Sequence, residues 1–165
     1  MPAGRPGAAP FRPTTAAALA AAVVAALLVL VVPGTASAGD TTPADYQRDI
    51  FSETNHQRVL HDRHELRHQA CVQRFAVRQA RRMAAQERMF HQDLGPVLRH
   101  CHLSRAGENV AYGFDLGVDV VTLGWMTSPP HRANILDPAF RLLGTGARQG
   151  DDGVWYAVQV FGRHR

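Results

Sequence analysis

The spacing of apolar and polar positions divides the chain into helices first and strands last. Between Asp45 and about His61, the residues Ile50, Phe51, Thr54, Asn55 and Arg58 recur at helical intervals. That recurrence predicts a helix with Asp45 as its cap. A stronger pattern follows. Cys71/Val72, Phe75/Ala76, Gln79/Ala80 and Met83/Ala84 repeat at i, i+3, i+4 and i+7, and Glu87 ends the run. Arg74, Arg78, Arg81, Arg82 and Arg88 lie mainly on the other faces of that helix, as a solvated surface does. From Phe90 to about Arg105 no period holds, and Gly95-Pro96 reads as a break. Asp119 to Thr127 predicts a short third helix, stopped by Ser128-Pro129-Pro130. The end of the chain predicts a hairpin. Leu142 to Arg148 and Val154 to Phe161 flank the turn-rich stretch from Gln149 to Gly153.

The last strand sets the fold class. Val154, Tyr156, Val158 and Val160 share one face, and Trp155, Ala157, Gln159 and Phe161 share the other. Both faces are largely apolar, so the sheet is expected to be covered on both sides. Helices preceding a doubly covered sheet predict an α+β fold, a three-layer α-β-α sandwich.

The first forty residues belong to a different category. Arg5 and Arg12 precede a continuous apolar run from Ala16 to Val32, which Pro33 and Gly34 break. Ala36-Ser37-Ala38 then supplies small residues for cleavage, so residues 1–38 read as a signal peptide of the general secretory type. Residues 39–44 read as a flexible linker and 45–165 as a single domain. The rival reading is an uncleaved anchor, but the apolar run is near the lower length limit for a span. The expected product is a secreted monomer with no stable membrane span.

Charge narrows the partners. All 18 basic residues are arginines, against 14 acidic ones, for a formal net charge of +4. Cleavage after Ala38 removes Arg5 and Arg12 and leaves the remainder nearly neutral. No block of like charges occurs, so a nucleic-acid partner is not expected. The chain has two cysteines. In an exported protein a disulfide is the default for a pair, and Cys71–Cys101 is the expected bond. The alternatives are two buried thiols, or Cys101 ligating a metal together with His100 and His102.

Two constellations carry possible chemistry. The first is local. His64-Glu65-Leu66-Arg67-His68 matches H-E-x-x-H, which on a helix lets two histidines grip zinc while the glutamate serves as general base. Cys71 and Arg74 stand where an extended motif would place its further glycine and histidine. The surroundings are also rich in histidine, so a solvated polar joint is the favoured reading.

The second constellation is dispersed. It comprises His91, Gly107-Glu108-Asn109, then Trp125-Met126-Thr127-Ser128-Pro129-Pro130-His131-Arg132, and finally Gln159-Val160-Phe161-Gly162. Together with Asn55-x-x-Arg58, Val110 to Gly113, Ala133 to Leu136 and Gly144-Thr145-Gly146, this order resembles the CAP superfamily. That superfamily comprises the cysteine-rich secretory, antigen-five and pathogenesis-related proteins, or SCP-like extracellular domains. The short bacterial secreted members are the most similar in pattern.

The resemblance implies a CAP-type sandwich with a cleft lined by two histidines and two acidic residues. His91, Glu108 and His131 match three of the four. Met126, Thr127 and Ser128 stand where the second acidic residue is usual. Ser128, Asn109 and Gln159 complete the candidate cleft. His91 and His131 are candidate ligands for a weakly held zinc ion, with Glu108 orienting one imidazole. The implied role is extracytoplasmic binding of a lipid, glycan or cell-wall component. Two alternatives stand beside it. One is a metal-assisted hydrolase, a protease or esterase, working at this cleft or at His64/Glu65/His68. The other is an envelope interaction module without metal.

Overall fold

The fold is that of a computed structural model describing residues 41–165. The expected signal peptide and the first residues of the expected linker lie outside the described residues. Helix α1 (Pro43–Leu60) begins inside the stretch read as linker, and its cap is Thr42 rather than Asp45. Thr42 Oγ1 accepts from the Asp45 backbone N–H, and Pro43 occupies the first turn, where its missing N–H costs nothing. The core side of α1 is Tyr46, Ile50, Thr54, Asn55 and Arg58, all buried.

After α1 the chain runs extended into a two-residue strand, β1 (Arg67–His68). Helix α2 (Ala70–Ala85) follows, capped by Gln69, whose side chain accepts from the Val72 N–H. Its buried residues are Val72, Phe75, Ala76, Gln79, Ala80, Met83 and Ala84, the stripe the periodicity predicts. Gly95-Pro96 does not interrupt structure. It opens helix α3 (Gly95–His100), with proline again in the first turn.

Strand β2 (Leu103–Tyr112) then starts at the very end of the stretch expected to be irregular and runs on beyond it. The expected third helix starts and ends two residues earlier and is differently wound. Helix α4 (Gly117–Asp119) passes directly into a π-helical turn, Val120–Trp125. Ser128-Pro129-Pro130 starts a helix rather than ending one. Ser128 is the extended N-cap residue of α5 (Pro129–Leu136). The hairpin closes the chain as β3 (Leu142–Gln149) and β4 (Trp155–His164).

The sheet order is β1-β3-β4-β2, with β1 parallel to β3 and the other pairings antiparallel. Two hydrophobic cores lie on its two faces. Tyr46, Ile50, Val120, Val121, Trp125 and Ile135 join Trp155, Ala157 and Phe161 of β4 on one side. Val72, Phe75, Ala76, Ala80, Met83 and Val97 join Tyr156, Val158 and Val160 on the other. The alternation along β4 therefore feeds both layers, as a strand buried on both faces requires. Cys71 and Cys101 form the expected disulfide, which ties the start of α2 to the end of α3. Glycines 144 and 146 set the depth of that layer. A Cβ at either position would collide with α2 backbone, at Gln73 and Ala76 respectively.

β1 covers only the first residues of β3. Beyond it, two side-chain amides stand along the open edge. The Thr145 N–H donates to Gln73 Oε1 at 2.7 Å, Gln73 Nε2 donates to Gln47 Oε1 at 2.9 Å, and Gln47 Nε2 reaches the Ala147 carbonyl at 3.5 Å. One glutamine comes from α1 and the other from α2, so the two helical layers meet over this edge.

Candidate functional site

β2 is the outer strand of the sheet on the side opposite β1, and it divides the dispersed constellation between two faces. Glu108 and Asn109 are successive residues of an extended strand, so they point to opposite sides. Glu108 is in register with Val160, on the face covered by α2 and α3. Asn109 is in register with Gln159, on the face covered by α1 and α5.

On its side, Glu108 receives the loop that follows α2. Oε1 accepts from His91 Nδ1 at 2.8 Å and from the Gln92 backbone N–H at 3.1 Å. Oε2 accepts from Gln92 Nε2 at 2.5 Å. The Glu108 side chain is 3% exposed, whereas the His91 side chain is 61% exposed. The carboxylate is thus a buried anchor and the imidazole its exposed load. A carboxylate oxygen accepts, so in the neutral imidazole that bond puts the proton on His91 Nδ1 and leaves Nε2 its lone pair. The loop has one further tie close by, from Gln79 Nε2 to the Phe90 carbonyl.

His131 comes from the other layer, in the first turns of α5 and not in a turn beyond the prolines. Its Nδ1 lies 2.9 Å from Ser128 Oγ, a hydroxyl that can accept or donate. Burial, followed by the neighbouring His91, pushes the His131 imidazole below its ordinary pKa. Neutral imidazole is the form that ligates a metal. The two histidines thus come from opposite layers, one tied to the outer strand through Glu108 and one at the start of α5, each held through Nδ1.

Asn109 and Gln159 are a correction to the expected cleft. Both are fully buried. Asn109 Nδ2 donates to Gln159 Oε1 at 2.9 Å and to the His131 carbonyl at 3.0 Å, and Asn109 Oδ1 accepts from Asn134 Nδ2 at 2.9 Å. Gln159 Nε2 donates to Thr54 Oγ1 in α1. This network holds α1 and α5 against the sheet and positions the α5 backbone that bears His131. It offers nothing to a ligand from solvent. The sequence pattern does not mark the partners Thr54 and Asn134 as site residues. Polar side chains on the core stripe of α1 were the signal for the first.

The H-E-x-x-H segment does not form the helix that zinc chelation by that motif needs. His64 and Glu65 are exposed in extended chain, Leu66 is buried, and His68 is exposed in β1. The cause is visible in the hydrogen bonds. Asn55 clasps Leu66 through both its N–H and its carbonyl, and Arg58 Nε donates to the His64 carbonyl at 2.7 Å. Arg58 also holds the Ile135 and Asp137 carbonyls, so its burial fastens this segment to the end of α5. Burial pushes its guanidinium down to about 10. Among the described residues, no three His, Cys, Asp or Glu side chains converge as a complete ligand set.

The pattern of the CAP family, described as the cysteine-rich secretory protein family, matches residues 51–161. Solved structures agree on the fold. An extracellular protein containing an SCP domain from Bacillus anthracis is 27% identical, with a TM-score of 0.64 over 76% of this chain and 45% of that one. A cysteine-rich secretory protein from Staphylococcus aureus is 20% identical, with a TM-score of 0.61 over 73% of this chain and 39% of that one. An outer surface protein from Borrelia burgdorferi is 19% identical, with a TM-score of 0.64 over 73% of this chain and 94% of that one. This chain thus spans less than half of the first two proteins and nearly all of the third. No curated protein matches it.

Proposed function

Because the chain belongs to the CAP family, we propose that it is a secreted binding module whose ligand sits at the His91/His131 edge of the sheet. The ligand classes that suit an extracytoplasmic CAP module are a lipid, a glycan or a cell-wall component. His91 and His131 are the residues that would hold a divalent ion such as zinc. Bound there, the ion would supply a Lewis-acidic contact for a ligand oxygen.

One observation carries this reading: both imidazoles are fixed through Nδ1, His91 by Glu108 and His131 by Ser128. That arrangement orients metal-binding histidines elsewhere, because the held nitrogen sets the ring while the other serves as ligand. Two protein ligands make a loose, exchangeable site rather than a structural one. Export is supported by the charged, apolar and small-residue order of residues 1–38 and by the extracellular Bacillus relative.

Hydrolysis has less support. Ser128 Oγ and His131 Nδ1 stand at the separation a serine nucleophile and its base need. A third group would have to orient that base, and both oxygens of Glu108 are spent on His91 and Gln92.

Zinc titration by calorimetry of disulfide-bonded residues 39–165 tests the reading. Binding is expected in the parent and in His64→Ala/His68→Ala, and is expected to vanish in His91→Ala/His131→Ala. An absence of heat in the parent removes the metal. Loss confined to His64→Ala/His68→Ala moves the site to the other end of the molecule. A panel of lipids, glycans and wall fragments that leaves the folded protein unbound removes the module reading itself.

A further inference from the structure

We infer that Gln92 is a positioning residue for His91: it fixes the Glu108 carboxylate so that the imidazole presents Nε2. The value of this to a ligand rests on the reading above; the hydrogen-bond frame does not. A glutamate carboxylate turns easily about its last torsion, where the barrier is broad and two-fold. Left to itself, Glu108 could offer either oxygen to His91 or swing away from it. Gln92 takes both oxygens at once. Its backbone N–H binds Oε1 and its side-chain amide binds Oε2.

With Oε2 turned to the amide, Oε1 is the oxygen left for His91 Nδ1, and the ring has one way to sit. The grip matters because the segment from Arg88 to Asp93 forms neither helix nor strand. A regular element would hold a histidine through its backbone; here side-chain bonds must do it. Glu108 is 3% exposed, so water does not replace a lost partner cheaply. Nothing else in the sequence marks Gln92, which is an ordinary polar residue beside a motif.

The test reads the histidine tautomer directly, without metal. Two-bond 1H–15N spectra of labelled protein at a pH well above the ordinary imidazole value of about 6.5 report which ring nitrogen is protonated. The His91 signals are assigned by their loss in His91→Gln. The parent is expected to show the Nδ1–H form alone. Gln92→Met keeps the length and removes the amide, so it is expected to give a mixture of tautomers at His91 while the His131 signals stay in place. Gln92→Lys restores a donor to Oε2 and is expected to restore the single tautomer.

The inference is overturned if Gln92→Met keeps the pure Nδ1–H form, or if Gln92→Lys behaves as Gln92→Met does. Should Gln92→Met fail to fold, the lysine variant and the parent still decide: a mixed tautomer in either overturns it. If zinc binds as proposed, Gln92→Met should weaken it by about tenfold, at the lower end of what outer-shell partners contribute. A molecule that binds no zinc leaves the tautomer result standing.

Discussion

Glu108 and Asn109 are neighbours in one strand, and they work for opposite sides of the molecule. Asn109 is sealed in the core. Every partner it has is another protein group, and its bonds join β2, β4, α1 and α5 through Gln159, Thr54 and Asn134. Glu108 is equally hidden, yet what it holds is a histidine that is mostly in water. The period of two along a strand makes the division, and what covers each face decides the task. A polar pair that reads as one motif is therefore two devices, one that closes the fold and one that equips its edge.

The sharpest way to break the symmetry is to remove each partner in turn. Asn109→Ala strands buried polar groups on Gln159, Asn134 and the His131 carbonyl. It should cost about 3 kcal/mol, since each unsatisfied buried group costs about 1–3 kcal/mol. Chemical denaturation would show this as a lower midpoint with unchanged slope. Glu108→Gln should cost less, about 1–2 kcal/mol, because amide and carboxylate share a shape. Its larger effect should appear in zinc affinity, about 10–100-fold weaker by calorimetry. Ser128→Ala removes one partly exposed hydroxyl and should cost about 0.5–1 kcal/mol, with the balance of the two His131 tautomers shifting in the same spectra.

The smallest effect separates the two histidines by pH. His131 takes up a proton less readily when folded than when unfolded, because burial and then His91 oppose its charge. Its contribution is therefore intact above the ordinary imidazole value of about 6.5 and is lost as pH falls below it, until the native form is protonated too. Midpoints measured from pH 7.5 downward should decline through that window, and His131→Asn should flatten the decline.

Legibility from sequence followed the strength of the local pattern. The stripe of α2 and the two faces of β4 were readable because period and burial agree there. The disulfide followed from the expected compartment and the pairing of two cysteines. The prolines misled. Pro96 and Pro129 look like stops in the sequence, but proline fits the first turn of a helix as well as it ends one, and the following residues decide. β2 was missed because Ser104, Arg105 and Ala106 break the alternation at the outer edge, where one side faces solvent. His91, Glu108 and His131 were found by resemblance and not by spacing, since 40 residues of chain separate the outer two. Asn109 and Gln159 look like cleft residues from the sequence because order along the chain carries no information about depth, and both are buried. Gln92 left no mark at all, because its role exists only once a strand has brought Glu108 beside it.

The pair of glutamine amides over β3 has a consequence for the life of this protein at high concentration. A bare strand edge is a template on which another chain adds itself, and growth by such addition has no natural end. Many proteins refuse it with a charge or a proline. Here Gln73 and Gln47 imitate the peptide groups of an absent strand, so an approaching copy finds the outlets at Thr145 and Ala147 taken. The edge is insulated by two side chains anchored in opposite layers, and solubility becomes a property of how well α1 and α2 stay in step.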